Sequence, residues 1–193
     1  MAFSTDQQQI NLVLHGHTHA FAVLVERYKD MVFTLALKML KNREEAEEVA
    51  QDAFLKVYKS LNSYKQESKF STWLYKITYN TCLDRIRKNN RQQNTIDIES
   101  YSEAALVSSD DIIGRMEDME RKQLIRECLN LLPGEDGFLL MLYYFEEQSV
   151  KEISKIMDIT VNHVKIKLHR SRKKLATLIS YKVANELMVN YEN

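Results

Sequence analysis

Apolar residues recur at intervals of three and four along almost the whole chain, and that rhythm confines it to helices. Phe21, Leu24, Val25, Tyr28, Val32, Leu35, Ala36 and Met39 form one stripe, from about Ala20 to Leu40. Ala46, Val49, Ala50, Ala53, Phe54, Val57, Tyr58 and Leu61 form a second, from about Glu44. Strand-type alternation is missing, and only four glycines and one proline interrupt 193 residues. The chain is therefore expected to be all-α: two small helical domains joined by a flexible acidic linker, the C-terminal one containing a helix-turn-helix.

Charge supplies the next constraint. The 27 bases and 27 acids cancel, but in blocks. Five acids and no base lie between Glu44 and Asp52, and eight acids with one base between Gln92 and Glu120. Between Val161 and Leu175 there are six Lys or Arg and no acid. Blocks of opposite sign suit a protein with several charged partners. Residues 92–118 are Ser-rich, acidic and without apolar period, which predicts a linker between 1–91 and 119–182, with 183–193 as a tail.

KFSTWLYKITYNTCLDRIRK, beginning at Lys69, predicts a third helix from Ser71-Thr72 that is apolar nearly all round. Only a narrow seam of Trp73, Lys76, Asn80, Asp84 and Arg87 is polar, so the helix is expected to be wedged between others. Cys82 and Cys128 lack CxxC spacing and fall in apolar segments, as buried reduced thiols do. Structure is expected to resume near Met119 with a helix ended by Pro133, a GEDG turn, and a short buried helix FLLMLYYF.

Ser149 to Glu152 reads as a capping box opening a short helix with Val150, Ile153 and Ile156 inward. Asp158-Ile159 then predicts a tight turn, and Thr160 an N-cap for VNHVKIKLHRSRKKL. Two helices on so short a turn, the second basic, make a helix-turn-helix. At 100° per residue, Val161, Val164, Leu168, Ser171 and Leu175 point inward. Asn162, Lys165, Ile166, His169, Arg170 and Lys173 point outward, the side-chain types that read base edges in a major groove. Lys167, Arg172 and Lys174 flank that stripe where they could hold phosphates.

Taken in order, these segments resemble the bacterial sigma factors of the extracytoplasmic-function (ECF) group. AFAVLVERYKDMVFTLALKMLKNREEAEEVAQDAFLKVYKSL is similar to their polymerase-binding helices, KFSTWLYKITYNTCLDRIRK to the promoter-melting helix, and LNLLPGEDGFLLMLYYFEEQSVKEISKIMDITVNHVKIKLHRSRKKL to the C-terminal domain. The resemblance implies promoter-specific transcription initiation by binding core RNA polymerase, at its clamp coiled coil and flap, and promoter DNA. Glu48, Gln51, Asp52 and Phe54 would dock on the clamp. Asn62, Ser63, Tyr64, Lys69 and Phe70 would seat a flipped base of the −10 element, with Lys76, Asn80, Asp84, Arg87 and Lys88 along the opened strand or its duplex edge. Asn162, Lys165, Ile166, His169, Arg170, Arg172 and Lys173 would read the −35 element. The acidic linker would thread the polymerase, and an anti-sigma factor is an expected partner.

Asp158 stands where the family usually has glycine, and Ser154 where it often has alanine, so Asp158 must accept a left-handed backbone. HGHTHA, from His15, carries a glycine break and no acid or cysteine at ligand spacing, so neither a metal nor any other cofactor is expected. No phosphate loop or nucleophile elbow argues for an enzyme. The N-terminus carries no signal-peptide pattern and no apolar run is long enough to span a membrane, so a cytoplasmic chain without membrane insertion is expected. Two rivals remain: a classical helix-turn-helix regulator that binds duplex DNA alone, and an RNA-binding adaptor, which leaves the C-terminal stripe unexplained.

Overall fold

A computed structural model describes residues 5–93 and 118–191, with side chains at 5–90 and 123–184. It contains helices α1 (Asp6–Leu14), α2 (Ala20–Leu40), α3 (Arg43–Ser60), α4 (Phe70–Gln93), α5 (Asp118–Leu131), α6 (Gly134–Tyr144), α7 (Val150–Met157) and α8 (Val161–Tyr191), plus a 3-10 turn at Leu61–Ser63. No strand occurs among the described residues. Most of the acidic segment between Gln92 and Asp118 lies outside them.

The two stripes meet as their spacing requires. Leu24, Val32, Leu35 and Ala36 of α2 are buried against Ala46, Val49, Ala53 and Val57 of α3, and Leu74, Tyr75 and Thr78 of α4 complete the layer. The alanines let α3 approach closely, and each buried Leu or Val contributes roughly 1.5–3 kcal/mol. Local chemistry fixes the ends. Lys41 turns α2 off in a left-handed conformation (φ 55°), and Asn42 caps α3 by accepting from the Glu45 amide at 3.1 Å.

The C-terminal half is built on α6, whose Phe138, Leu139, Leu140 and Leu142 are essentially without exposure. A smaller cluster joins Leu124 and Cys128 of α5 to Val183 of α8. The long α8 thus runs through the expected boundary at 182–183, and Val183 is buried (4 % exposed). The expected GEDG turn is instead the first turn of α6. Pro133 stands at the N-cap and Gly137 donates to its carbonyl at 3.0 Å, while Glu135 and Asp136 favour the positive helix end. Helix α1 is an addition to the reading of the sequence. Thr5 and Gln8 form its capping box, and Asp6 accepts from Arg27 and Tyr28 of α2.

The halves do not stand apart. α6 packs on α2 and α7 on α4, and one apolar cluster is continuous from Ile10 to Leu168.

Candidate polymerase and nucleic-acid interface

The helix-turn-helix forms as its local signals require. The Ser149 amide donates to Glu152 Oε2 at 2.8 Å and the Glu152 amide to Ser149 Oγ at 3.2 Å. Asp158 is left-handed (φ 56°, ψ 42°). Ser154 Oγ donates to the Ile159 carbonyl at 2.5 Å, so the serine closes the turn from inside. The His163 amide donates to Thr160 Oγ1 at 3.2 Å, capping α8.

Helix α8 then presents two faces. Val164, Leu168 and Ser171 are buried, while Val161, expected inward, is 38 % exposed beside the turn. Asn162, Lys165, Ile166, His169, Arg170 and Lys173 are exposed together on the outer face. Ile166, at 43 %, is an apolar side chain displayed among cations. The flanking residues make internal contacts. Lys167 pairs with Glu135 at 2.5 Å and Lys174 with Asp136 at 2.7 Å. The Arg172 guanidinium lies over the rings of Tyr143 and Tyr144, at 5.2 and 5.5 Å. All three therefore hold α8 to α6.

On α3, Glu48, Gln51 and Asp52 are exposed. Phe54 is only 8 % exposed and belongs to the core, a correction to its reading as a docking anchor: it sits on the buried stripe with Ala50 and Val57. The apolar residue displayed beside the carboxylates is Leu55, 55 % exposed, followed one turn later by Tyr58 at 41 %. The place of Leu55 outside the apolar stripe was the available signal, while Tyr58, read as part of the stripe, is exposed at its edge. Arg85 of α4 reaches Glu48 at 2.8 Å and Glu45 at 3.9 Å, bracing α3 on α4.

The loop before α4 is tied by its own side chains. Ser63 Oγ donates to the Ser60 carbonyl and Tyr64 Oη to that of Ser68, both at 2.6 Å, while Asn62 and Ser63 face solvent. Phe70 is a second correction. It is 3 % exposed, packed edge-on to Tyr28 and Tyr64 and against Trp73, so its ring is a core support and not a platform for a base. Tyr64 and Trp73 are half-buried with ring centroids 5.2 Å apart.

Along α4 the polar seam is displayed as spaced: Asn80, Asp84, Arg87 and Lys88 are exposed and Lys76 is partly so. Asp84 lies 3.6 Å from Lys56 and 3.5 Å from Arg87. Cys82, fully buried on the other side, has its thiol pushed up to about 12 by burial, leaving it unreactive. Among the described residues no group of three His, Cys, Asp or Glu could hold a metal. Nor is any helix long and apolar enough to cross a membrane.

A helical half with an acidic face and an aromatic-basic seam, joined to a helix-turn-helix half, is the organisation of a promoter-recognition factor. Residues 24–92 match Sigma-70 region 2, and residues 122–175 match Sigma-70, region 4. The chain is 34 % identical over 176 residues to the ECF RNA polymerase sigma factor SigW of Bacillus subtilis, covering 88 % of this chain and 94 % of that one. It is 29 % identical over 175 residues to the ECF RNA polymerase sigma-E factor of Escherichia coli K12, covering 88 % and 91 %. In fold it is similar to CnrH in its complex with the cytosolic domain of CnrY (TM-score 0.62, 20 % identity, 91 % of this chain and 97 % of that one). The sigma factor RpoE of Bartonella quintana, in complex with the anti-sigma factor NepR, is equally similar (TM-score 0.62, 20 % identity, 82 % and 96 %). The chain belongs to the ECF sigma factors. It directs promoter-specific transcription initiation.

Proposed function

We propose that the work is divided among three surfaces, with no catalytic chemistry of the chain's own and no cofactor. The exposed carboxylates Glu48 and Asp52, with Gln51 and Leu55, dock on a basic helical element of core polymerase, where opposite charge steers approach and an apolar contact anchors it. Asn62, Ser63, Tyr64 and Lys69 meet the −10 element, and Lys76, Asn80, Arg87 and Lys88 follow the opened strand. Half-buried Tyr64 provides an edge on which an unpaired base can stack, worth roughly 1–3 kcal/mol. Asn162, Lys165, Ile166, His169 and Arg170 read the −35 element in the major groove. We place the N-terminal function in 1–91 and the −35 function in the helix-turn-helix half, with the acidic segment between them threading the polymerase.

The observation that carries this reading is the outer face of α8: cations, an amide, an imidazole and an exposed isoleucine on one stripe, with the neighbouring cations Lys167 and Lys174 already paired internally. We place the protein in the cytoplasm and expect an anti-sigma factor to bind it, as NepR binds the Bartonella quintana relative. In vitro transcription with purified core polymerase and a promoter library tests the reading. Initiation from a defined subset of promoters is expected. Footprinting of duplex DNA by the free protein without such initiation would favour a classical regulator.

A further inference from the structure

We propose that Asp6 of α1 and Tyr28 of α2 are positioning residues for the −10 base seat, acting on Tyr64 through the ring of Phe70. The proposal deepens the reading of Tyr64 as the support for an unpaired −10 base and rests on it. The match to Sigma-70 region 2 begins at residue 24, so α1 lies outside it.

The connection runs through consecutive contacts. The Gln8 amide donates to Thr5 Oγ1 at 3.4 Å and the Thr5 amide to Gln8 Oε1 at 2.9 Å, a cap that sets Asp6 in the first turn of α1. Tyr28 Oη donates to Asp6 Oδ2 at 2.6 Å, and Arg27 donates to Oδ1 of the same carboxylate. One side chain of α1 thus holds two adjacent residues of α2. The Tyr28 ring meets Phe70 edge-on, with centroids 5.6 Å apart and planes at 60°. Phe70 in turn meets Tyr64 edge-on, at 5.9 Å and 80°. Trp73, 5.2 Å from Tyr64, and the Ser68 carbonyl, which accepts from Tyr64 Oη at 2.6 Å, complete the setting of that ring.

Edge-to-face ring contacts are directional, so a change in the tilt of one ring is passed to the next. Phe70, the middle ring, is buried, and close packing leaves no void in which the change could be absorbed. Helix α1 also supports the loop directly. It packs on the 3-10 turn, and its Ile10, 1 % exposed, shares the core cluster with Leu61 of that turn. Burial, then the hydrogen bond and charge of Asp6, raise the Tyr28 phenol; burial, then the same charge, raises that of Tyr64. Both therefore remain protonated donors, and Asp6 acts within electrostatic reach of the loop. The outer stripe of α8 and the carboxylates of α3 take no part in this series of contacts, so the effect falls on the −10 element.

The test uses holoenzyme assembled from core polymerase and the full chain, with a promoter taken from the library transcription and supplied as a pre-opened fragment. Each −10 base is substituted in turn, and the affinity ratio of intact to substituted fragment measures −10 discrimination. Discrimination at the −35 element and affinity for core are measured beside it. Tyr28→Phe removes one hydroxyl and keeps the ring on Phe70, so it carries the test even where Asp6→Ala fails to fold. Each variant is expected to lower the largest −10 ratio at least ~5-fold, the lower end of what one stacked base contributes, with −35 discrimination and core affinity unchanged. Tyr64→Leu is expected to lose the same discrimination, and adding Tyr28→Phe to it to cost nothing further, because the two act on one seat. Wild-type ratios in Tyr28→Phe, with Tyr64→Leu impaired, would overturn the positioning role. Parallel losses of −35 discrimination and core affinity would overturn it as well, by making Asp6 and Tyr28 general supports of the fold. Full −10 discrimination by Tyr64→Leu would instead overturn the reading of Tyr64, and this proposal with it.

Discussion

Ser171 Oγ donates to Asp136 Oδ1 at 2.7 Å inside the C-terminal half, joining a buried polar residue of α8 to the first turn of α6. Ser171 has no exposure and Asp136 has 8 %, so neither can turn to water if the other is lost. Asp136→Ala is expected to destabilise the protein by about 1–3 kcal/mol, the cost of stranding a buried donor. Lys174→Ala, which removes only the half-exposed partner of the same carboxylate, is expected to cost under about 1 kcal/mol. Urea midpoints measure both, and equal losses would contradict the distinction.

Acid is expected to loosen the helix-turn-helix through Glu152. Burial works to raise its carboxyl, but hydrogen bonds from the Ser149 amide and hydroxyl, with Lys69 nearby, outweigh it and hold the group below its ordinary 4.5. A depressed carboxyl contributes stability that is fully present above the unfolded value and is lost as pH falls through the folded one. Wild type should therefore lose more stability than Glu152→Gln on titration from neutral pH to below that ordinary value. Parallel losses in the two proteins, measured by denaturation at each pH, would contradict this.

Both cysteines are expected to resist thiol reagents in the native protein and to react at once in denaturant. Cys82 and Cys128 have no exposure, and the Cys82 thiol is pushed up to about 12 by burial. Rapid native labelling with Ellman's reagent at mildly alkaline pH would contradict the packing around α4 or α5.

On α3, Asp52→Lys is expected to weaken binding to core polymerase at least ~10-fold, with a smaller loss at high salt where steering is screened. Phe54→Ala is expected to lower stability by roughly 3–5 kcal/mol, as a core deletion does. Competition binding for core and thermal melting separate the two residues. Weak core binding by a stably folded Phe54→Ala would restore that residue to the docking surface.

What the sequence discloses here is mostly what is local. The capping box at Ser149, the left-handed Asp158 and the Thr160 cap depend on neighbours within a few residues, and each forms as its spacing requires. Thr5 and Gln8 carried the same kind of signal for α1. The helical start at Gly134 was obscured because Gly-Glu-Asp-Gly resembles a turn, although a proline immediately before a helix is a start signal. Phe54 and Phe70 show the limit of family likeness: Phe54 already lay on an apolar stripe that argued for the core, and Phe70 is buried by contacts with Tyr28 and Trp73 that no local spacing announces. Pairing across the halves, such as Lys76 with Asp158 at 82 positions' separation, leaves no periodic trace at all.

The proposed division of labour gives −35 reading to the outer face of α8 and polymerase binding to the N-terminal half. The most direct measurement is promoter selectivity of a Lys165→Ala, Arg170→Ala double variant in single-round transcription, with core affinity measured in parallel. Loss of discrimination between intact and scrambled −35 sequences, with core affinity unchanged, is the predicted result. Retained discrimination, or loss of core binding in its place, would contradict the account.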